Sequence, residues 1–169
     1  MAASRMGKDQ VVQCLLSAGA KVHAAMPDGV TALYLASLEG YCAVAKTLLS
    51  AGAVVNMARK DGSTSLWIAS QNGNHQVVQC LLSAGAKVDA ATPDGATALY
   101  IASKRGHAKV AKILLSAGAD VNAAKINGAT SLILAAQNGY PDIVELLLTH
   151  GAEVNHTWRT DQGQTLTAA

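Results

Sequence analysis

Residues 93–125 read PDGATALYIASKRGHAKVAKILLSAGADVNAAK, and this stretch decides the fold. Its glycines leave room for two short helices. The Thr97 hydroxyl can accept a hydrogen bond from a backbone N–H at the start of the first helix, and Gly106 ends that helix. The second helix is predicted over about residues 107–116, and Gly118 closes it in a left-handed conformation. The chain then leads into a tight turn of the kind that aspartate or asparagine with glycine favours.

The same spacing recurs along the chain at a fixed short period, the interval from Gly29 to Gly62. Each copy has a glycine followed two positions later by a threonine, and the four pairs are Gly29 and Thr31, Gly62 and Thr64, Gly95 and Thr97, and Gly128 and Thr130. A period twice as long is also present, because residues 3–37 and 69–103 are identical at 27 of 35 positions. Fixed periods of this length are typical of stacked supersecondary units in which each unit contacts only its neighbours.

These units resemble ankyrin repeats. The residues that match the family pattern in one unit are Gly62, Thr64, Leu66, Ala69, Gly73, Leu81, Leu82, Gly85, Ala86 and Val88. The resemblance implies an all-α, ankyrin-type helix-turn-helix solenoid with protruding β-turn or hairpin loops. The chain departs from the pattern at the usual helix-start proline, which is replaced by alanine or serine, and at the histidine two positions later, which is replaced by Tyr34, Trp67, Tyr100 and Ile133. We expect at least two of the three aromatic rings to be buried between units.

The period divides residues 1–169 into a single array. We expect a half repeat at 1–26, full repeats at 27–59, 60–92, 93–125 and 126–158, and a partial repeat at 159–169. By this alignment the chain starts inside a first helix and stops inside another. Register breaks near the end, because Asn155 and Gly163 are farther apart than Asn56 and Gly62. The last half-unit is therefore predicted to be irregular.

Composition bounds the core and the class of protein. Half of the residues are apolar, but only 4% are aromatic and phenylalanine is absent, so the core is predicted to consist of alanine and leucine. Small residues suit helices packed about 8–10 Å apart. The sequence has no apolar run long enough to span a membrane and no signal-peptide pattern, which predicts a cytoplasmic protein, with a nuclear one not excluded. The net charge of +2 gives no dense basic face for nucleic acid.

The three cysteines are interpreted as free thiols. Cys14 and Cys80 occupy the same position in units two apart, so about 20 Å separates them, which is beyond disulfide reach. We predict that both are buried. Cys42 lies at the start of a second helix, where a helix N-terminus could activate a thiol.

No motif for catalysis, a cofactor or a metal is present in the sequence. The histidines fall at different positions of the repeat and lack the spacing of zinc ligands. The glycines lie at helix ends and do not form a phosphate-binding loop. A serine repeated at one position in every unit has no neighbouring base. We therefore predict no catalytic residues, no cofactor, no metal site and no enzyme activity.

Function is expected on the surface formed by the turn tips and the exposed side of each first helix. The resemblance implies that a protein or peptide partner binds this concave groove through the turn residues beside each glycine and the two residues before each junction glycine. The predicted partner-binding residues are Arg5, Met6, Pro27, Asp28, Val30, Leu38, Glu39, Lys60, Asp61, Ser63, Gln71, Asn72, Pro93, Asp94, Ala96, Lys104, Arg105, Ile126, Asn127, Ala129, Gln137 and Asn138. The resemblance also implies Asn56, Asn122 and Asn155 as candidate sites of asparagine hydroxylation.

The long duplication provides a contrast within this set. Leu38-Glu39 in one copy becomes Lys104-Arg105 in the other, while the apolar framework is kept. We interpret this difference as functional divergence, and drift at exposed positions is the alternative. If the difference is functional, the partner carries acidic groups where it meets residues 104–105.

Three further interpretations stay open at the level of sequence. The chain could be a regulatory or targeting segment of a larger enzyme, channel or receptor, because neither end forms a complete unit. Alternatively, uncapped ends could stack head to tail with other copies. The near-identical copies also suggest an engineered scaffold, although Met26, Met57, Cys42 and Trp158 argue against deliberate design.

Overall fold

A computed structural model of the chain describes residues 1–155, 157–159 and 165–166. The chain forms two compact units, residues 1–87 and residues 88–169. Each unit consists of pairs of short antiparallel helices, in which a first helix is followed by a second helix. Odd-numbered helices below are first helices and even-numbered helices are second helices.

The unit of residues 1–87 contains three helix pairs. Its helices are α1 (Ala2–Arg5), α2 (Asp9–Ser17), α3 (Ala32–Glu39), α4 (Cys42–Ser50), α5 (Ser65–Gln71) and α6 (His75–Ser83). First helices pack on first helices in the order α1, α3, α5, and second helices pack on second helices in the order α2, α4, α6. The prediction that the chain starts inside a first helix is confirmed by α1.

The unit of residues 88–169 contains two helix pairs and one short strand pair. Its elements are α7 (Ala98–Arg105), α8 (Ala108–Ser116), α9 (Ser131–Gln137), α10 (Pro141–Thr149), β1 (Trp158–Arg159) and β2 (Thr165–Leu166). Helix α7 contacts α9, and α8 contacts α10. Strands β1 and β2 pair antiparallel, with Trp158 opposite Leu166. The predicted partial repeat at 159–169 otherwise lies outside the described residues.

The sequence explains where the helices begin and end. Thr31, Thr64, Thr97 and Thr130 each accept a hydrogen bond at the side-chain oxygen from the backbone N–H three positions later. Such N-caps stabilise a helix by about 1 kcal/mol. Helix α7 ends at Gly106, which has a φ of 79° and is thus in the left-handed region. The predicted limits of both helices in residues 93–125 are confirmed to within one position.

Alanine and leucine build the core, as predicted. One alanine in each of α3, α5, α7 and α9 has no exposed surface, and these residues share one position of the repeat: Ala36, Ala69, Ala102 and Ala135. One leucine in each of α4, α6, α8 and α10 is at most 2% exposed, and these residues are Leu48, Leu81, Leu114 and Leu147. The alanines let neighbouring first helices approach closely. The all-α helix-turn-helix fold predicted from the repeat is therefore confirmed, and isolated bridges such as Ala25 with Thr31 close the hairpin loops.

The predictions for cysteine and for the aromatic rings have different outcomes. The prediction that Cys14 and Cys80 are buried is wrong, because Cys14 is exposed and Cys80 is only half-buried. Helix α6 packs on α4 at the side that carries Cys80, whereas the neighbours of α2 in the described chain, α1 and α4, leave Cys14 uncovered. Tyr34 and Tyr100 are buried and Trp67 is half-buried, so the expectation that at least two of the three rings are buried is confirmed.

Candidate partner-binding surface

The turns that precede the first helices are closed by side chains of aspartate or asparagine. The side-chain Oδ1 accepts a hydrogen bond from the backbone N–H two positions later in three turns, at Asp28 (3.2 Å), Asp61 (2.9 Å) and Asn127 (3.1 Å). This geometry is the reason that aspartate and asparagine favour turns. These three predicted partner-binding residues therefore also hold the shape of the turn tips.

Main-chain hydrogen bonds join neighbouring turns within each unit. The Lys60 N–H donates to the Asp28 carbonyl over 3.0 Å, and the Ile126 N–H donates to the Asp94 carbonyl over 3.0 Å. Gly29 allows the close approach in the first case. Its φ is 91°, and a Cβ atom there would lie 2.9 Å from a Cα atom of the next turn. The tips are thus held in register by backbone atoms.

Arg59 adds a charged link between two turns in residues 1–87. Its guanidinium lies 3.2 Å from Asp28 and 3.0 Å from Asp61, and it sits 5.4 Å above the centre of the Tyr34 ring. Hydrogen bonding to the Tyr34 hydroxyl raises the pKa of Arg59. The pKa of Asp28 is lowered, chiefly by the hydrogen bond from the Val30 N–H. The pKa of Asp61 is lowered, chiefly by the hydrogen bond from the Ser63 hydroxyl. Both carboxylates are accordingly ionised at neutral pH.

Lys125 plays the equivalent part in residues 88–169. Its Nζ lies 2.6 Å from the Asp94 carboxylate and 5.6 Å from the centre of the Tyr100 ring. The hydrogen bonds from Lys125 and from the Thr92 hydroxyl lower the pKa of Asp94 to about 2, although burial acts in the opposite direction. The long duplication places these three residues at the positions that Asp28, Arg59 and Tyr34 hold in the first copy. It therefore preserves one ion pair, with arginine exchanged for lysine, whereas the second carboxylate of the first copy, Asp61, is replaced by Asn127.

The charged residues at the ends of α3 and α7 have different surroundings. Glu39 is exposed and lies 3.8 Å from Arg5, which is also exposed. Lys104 and Arg105 are exposed in the last turn of α7. Within the described part of the chain no carboxylate forms an ion pair with either of them. The end of α7 therefore presents two cationic groups to solvent.

The structure corrects four of the predicted partner-binding residues. The residue that follows each turn glycine is buried in all four turns, and these residues are Val30, Ser63, Ala96 and Ala129. Their side chains lie beneath the turn and pack in the core. Val30 belongs to a cluster with Tyr34 and Ile68, and Ala96 belongs to one with Tyr100 and Ala129. The sequence does not show that these four side chains point into the core, so they were wrongly expected to face a partner.

The other predicted residues keep side-chain surface. Leu38, Gln71 and Asp28 are half-buried, and the remaining fifteen are exposed: Arg5, Met6, Pro27, Glu39, Lys60, Asp61, Asn72, Pro93, Asp94, Lys104, Arg105, Ile126, Asn127, Gln137 and Asn138. Two apolar side chains stand out among them. Ile126 at a turn tip is 83% exposed and Met6 is 65% exposed. Side chains with so much free surface contribute little to the packing of the described chain.

Sequence reasoning missed the residues that link one repeat to the next. Arg59 and Lys125 close the turns of Asp28 and Asp94, yet each lies almost one full repeat after its aspartate. The signal available in the sequence was the equal spacing of these two pairs. Sequence reasoning also missed the approach of Cys42 to Cys80, since it compared only cysteines at the same position of the repeat.

The asparagines of the V-N motif bind the loop of the following repeat. Asn56 donates its amide to the Gly85 carbonyl (3.1 Å) and accepts from the Lys87 N–H (2.8 Å). Asn122 makes the same two contacts, with the Gly151 carbonyl (3.3 Å) and the Glu153 N–H (2.9 Å). Each of these two side chains thus substitutes for a stretch of backbone pairing. Both asparagines therefore have a structural role, and hydroxylation at Asn56, Asn122 and Asn155 stays a prediction.

Across residues 1–155 and the described parts of the tail, no group of three or more histidine, cysteine, aspartate or glutamate side chains converges on one point. No helix in the same residues has both the length and the apolar character needed to cross a bilayer.

Comparison with known proteins gives the family. The sequence model described as "Ankyrin repeats (3 copies)" matches residues 66–158, and the one described as "Ankyrin repeat" matches residues 28–60. A search of curated proteins finds no match to the chain. Ankyrin repeats generally mediate interactions between proteins and are typically not catalytic. Threonine-capped first helices, closed turns and the matched residues together show that the chain belongs to the ankyrin-repeat family.

Proposed function

We propose that this chain is a non-catalytic adaptor that binds a protein or peptide on its turn tips and on the ends of its first helices. The observation that carries the proposal is the exposure of Lys104 and Arg105, which have no carboxylate partner within the described residues. Two exposed cations on a rigid helix end can pair with carboxylates of another molecule, which speeds association and selects the partner.

Positive charge at this place also has an effect within the chain. Cations in the last turn of a helix stabilise it by roughly 0.3–1 kcal/mol through the helix dipole. This effect gives Lys104 and Arg105 a role in stability, but it does not account for the exposed apolar side chains in the same unit. Ile126 and Pro93 are exposed on turn tips of the same unit, and side chains of this kind bind a partner through apolar contact.

The proposed partner segment combines acidic and apolar residues where it meets residues 88–169. In residues 1–87 the corresponding positions present Leu38 and Glu39, and Glu39 already lies near Arg5. Carboxylates of the partner would be repelled by Glu39 and attracted by Lys104 and Arg105. This difference favours binding of the partner's acidic groups at the end of α7 over binding at the end of α3.

Charge reversal with a matched control tests the proposal. The test variant is Lys104→Glu with Arg105→Glu. The control is Lys109→Glu with Lys112→Glu, which makes the same change in charge at two exposed lysines of α8, outside the proposed surface. Proteins captured by the intact chain are compared with those captured by each variant at two salt concentrations. Purified partners are then titrated for Kd.

We expect the test variant to bind at least about tenfold more weakly, since losing two interfacial cations and gaining two anions costs more than about 1.4 kcal/mol. The control variant keeps the affinity of the intact chain. Equal binding by the test variant and the intact chain would show that residues 104–105 are not part of the binding surface. If both variants bind equally more weakly than the intact chain, the loss of affinity comes from the change in net charge and not from residues 104–105.

A further inference from the structure

Two cysteines from neighbouring repeats face each other in residues 1–87. Cys42 is the first residue of α4 and Cys80 lies in the penultimate turn of α6. Their Sγ atoms are 3.1 Å apart. A disulfide has an S–S distance of about 2.05 Å, so the sulfurs need to approach by only about 1 Å to form one. Both residues are half-buried and both are free thiols.

The packing of second helices fixes this approach. Cys42 and Cys80 are the first residue of one second helix and the sixth residue of the next. Asp9 and Thr47 hold the same two positions in α2 and α4, and the Thr47 hydroxyl donates to the Asp9 carboxylate over 2.6 Å. Two different pairs of side chains therefore meet at the same place. The cysteines are close because of the register of the repeats and do not depend on one loop conformation.

An oxidant in solution can reach the pair. Both cysteines line an open groove of about 800 Å³ between α4 and α6, together with Lys46, Gln76 and Gln79. Small disulfides and peroxides fit in a groove of this size. The surroundings also assign an order to the two thiols. Burial and the neighbouring Cys42 raise the pKa of Cys80 to about 11, while Lys46 lowers it only in part. Cys42 is the first residue of α4 and thus lies at a helix N-terminus, so we assign it as the thiol that attacks first.

We propose that Cys42 and Cys80 form a reversible intramolecular disulfide when the chain meets a small disulfide such as oxidised glutathione. The Cys42 thiolate attacks one sulfur of oxidised glutathione, which breaks its S–S bond, releases one glutathione thiolate and leaves a mixed disulfide on Cys42. Cys80 loses its proton to solvent and attacks the Cys42 sulfur. The bond between Cys42 and glutathione breaks, and the second glutathione leaves. The protein loses two electrons and two protons, and oxidised glutathione becomes two molecules of glutathione.

The bond joins α4 to α6 and hence the repeat at residues 27–59 to the repeat at residues 60–92. A covalent link of this kind restricts the unfolded chain and opposes separation of the two second helices. Oxidation therefore strengthens one junction of the array and leaves the others unchanged. Cys14 holds the same helix position as Cys80 but has no cysteine opposite it, because α2 is the first of the second helices that the structure describes and no earlier second helix packs against the side that carries Cys14. It supplies an internal control.

The test uses the full chain with Cys14→Ser, which removes the exposed thiol and prevents links between chains. The protein is equilibrated with glutathione buffers of increasing oxidised fraction, quenched in acid and alkylated. Intact mass and peptide mapping follow. We expect both remaining thiols to be lost together, with a mass lower by two hydrogens, no retained glutathione and a linked Cys42–Cys80 peptide. The unfolding midpoint Tm rises by roughly 5–15 °C on oxidation.

Two single replacements in the same background serve as controls. Cys42→Ser and Cys80→Ser each leave one thiol, which is expected to stay reduced or to retain glutathione, with no rise in Tm on oxidation. The unmodified chain is expected to give the same linked Cys42–Cys80 peptide, with Cys14 outside the link and either reduced or carrying glutathione. Separate glutathione adducts on Cys42 and Cys80 without a linked peptide would overturn the proposal. A link that appears only between chains would overturn it as well.

Discussion

Helices α3 and α7 are equivalent parts of two copies of the same repeat pair, and they differ most where they end. Both start after a capping threonine and both end at a left-handed glycine, with φ of 80° at Gly40 and 79° at Gly106. Yet Leu38 and Glu39 close the first helix, and Lys104 and Arg105 close the second. The caps and the buried alanines fix the backbone of both helices. The residues just before the glycine are then free to change charge without changing the fold.

The largest effect is expected when an equivalent buried leucine is replaced in each copy, which tests whether the two copies share one framework. Leu48 and Leu114 are equivalent leucines in α4 and α8, with 2% and 0% exposure. Replacing either with alanine leaves a cavity and is expected to lower the free energy of unfolding by about 2–5 kcal/mol. Urea unfolding of Leu48→Ala and Leu114→Ala, followed by circular dichroism, measures both losses.

If the two copies share one framework, the two losses agree to within about 1 kcal/mol, a tolerance that reflects how differently sites relax around a cavity. A loss at one position only would show that the two copies are packed differently. Exposed Leu15 of α2 provides the control, because Leu15→Ala is expected to change stability by less than about 0.5 kcal/mol.

A smaller effect is expected at the junction glycines. An alanine at Gly106 would place its Cβ 2.7 Å from the ring of Tyr140, and one at Gly40 would lie 2.8 Å from the Asn74 amide. We expect Gly106→Ala to lower the free energy of unfolding by about 2–3 kcal/mol, of which about 1–2 kcal/mol comes from the left-handed backbone.

Gly118→Ala separates the two causes. Gly118 has a φ of 84° with no atom within 4 Å of the added Cβ, so only the backbone cost of about 1–2 kcal/mol remains. Chemical denaturation of both variants gives the difference. An equal loss for Gly106→Ala and Gly118→Ala would mean that Tyr140 moves aside freely.

The smallest effect concerns the ionic links and sharpens the comparison between Asp28 and Asp94. The pKa of Asp94 falls from an ordinary value of 3.8 to about 2 in the folded chain. A lowered folded pKa contributes stability above the unfolded pKa, and this contribution is lost as the pH falls from about 4 to 2. Because Asp94 is 56% exposed, we expect the contribution to stay below about 1 kcal/mol.

Thermal unfolding of Asp94→Asn and Asp28→Asn between pH 2 and 5 measures this contribution. Asp94→Asn is expected to flatten the acid-side loss of stability relative to the unmodified chain, while both proteins behave alike under salt strong enough to screen the pair. A pH profile of Asp94→Asn that overlays the unmodified one would show that Lys125 does not stabilise the fold through this carboxylate.

Much of the fold was predictable because local chemistry determines it. Threonine caps, helix-ending glycines and the alanine and leucine positions all recur once in each repeat, so each element is specified by residues close to it in sequence. The predicted limits of α7 and α8 agree with the structure for this reason.

The candidate surface was harder to predict because it depends on direction and on contacts between repeats. Val30 and Asp28 lie two positions apart around a turn, yet one is buried and the other keeps surface. No helical period indicates which way such side chains point. Cys42 and Cys80 lie in neighbouring repeats but at different positions of the repeat, since one begins α4 and the other is the sixth residue of α6. Comparing residues at the same position of each repeat therefore does not find contacts of this kind.

The main-chain hydrogen bonds between turn tips carry one more consequence. Lys60 and Ile126 each donate a backbone N–H to the preceding turn, and the two residues share almost no side-chain chemistry. Since the bond requires only a backbone amide, any residue other than proline at positions 60 and 126 can keep it, whereas Pro27 and Pro93 at the same position of the repeat have no N–H to donate. The side chains at residues 60 and 126 can thus be exchanged while the hydrogen bond beneath them is kept. A randomised library at residues 60 and 126 would vary recognition while leaving the architecture of the repeat intact.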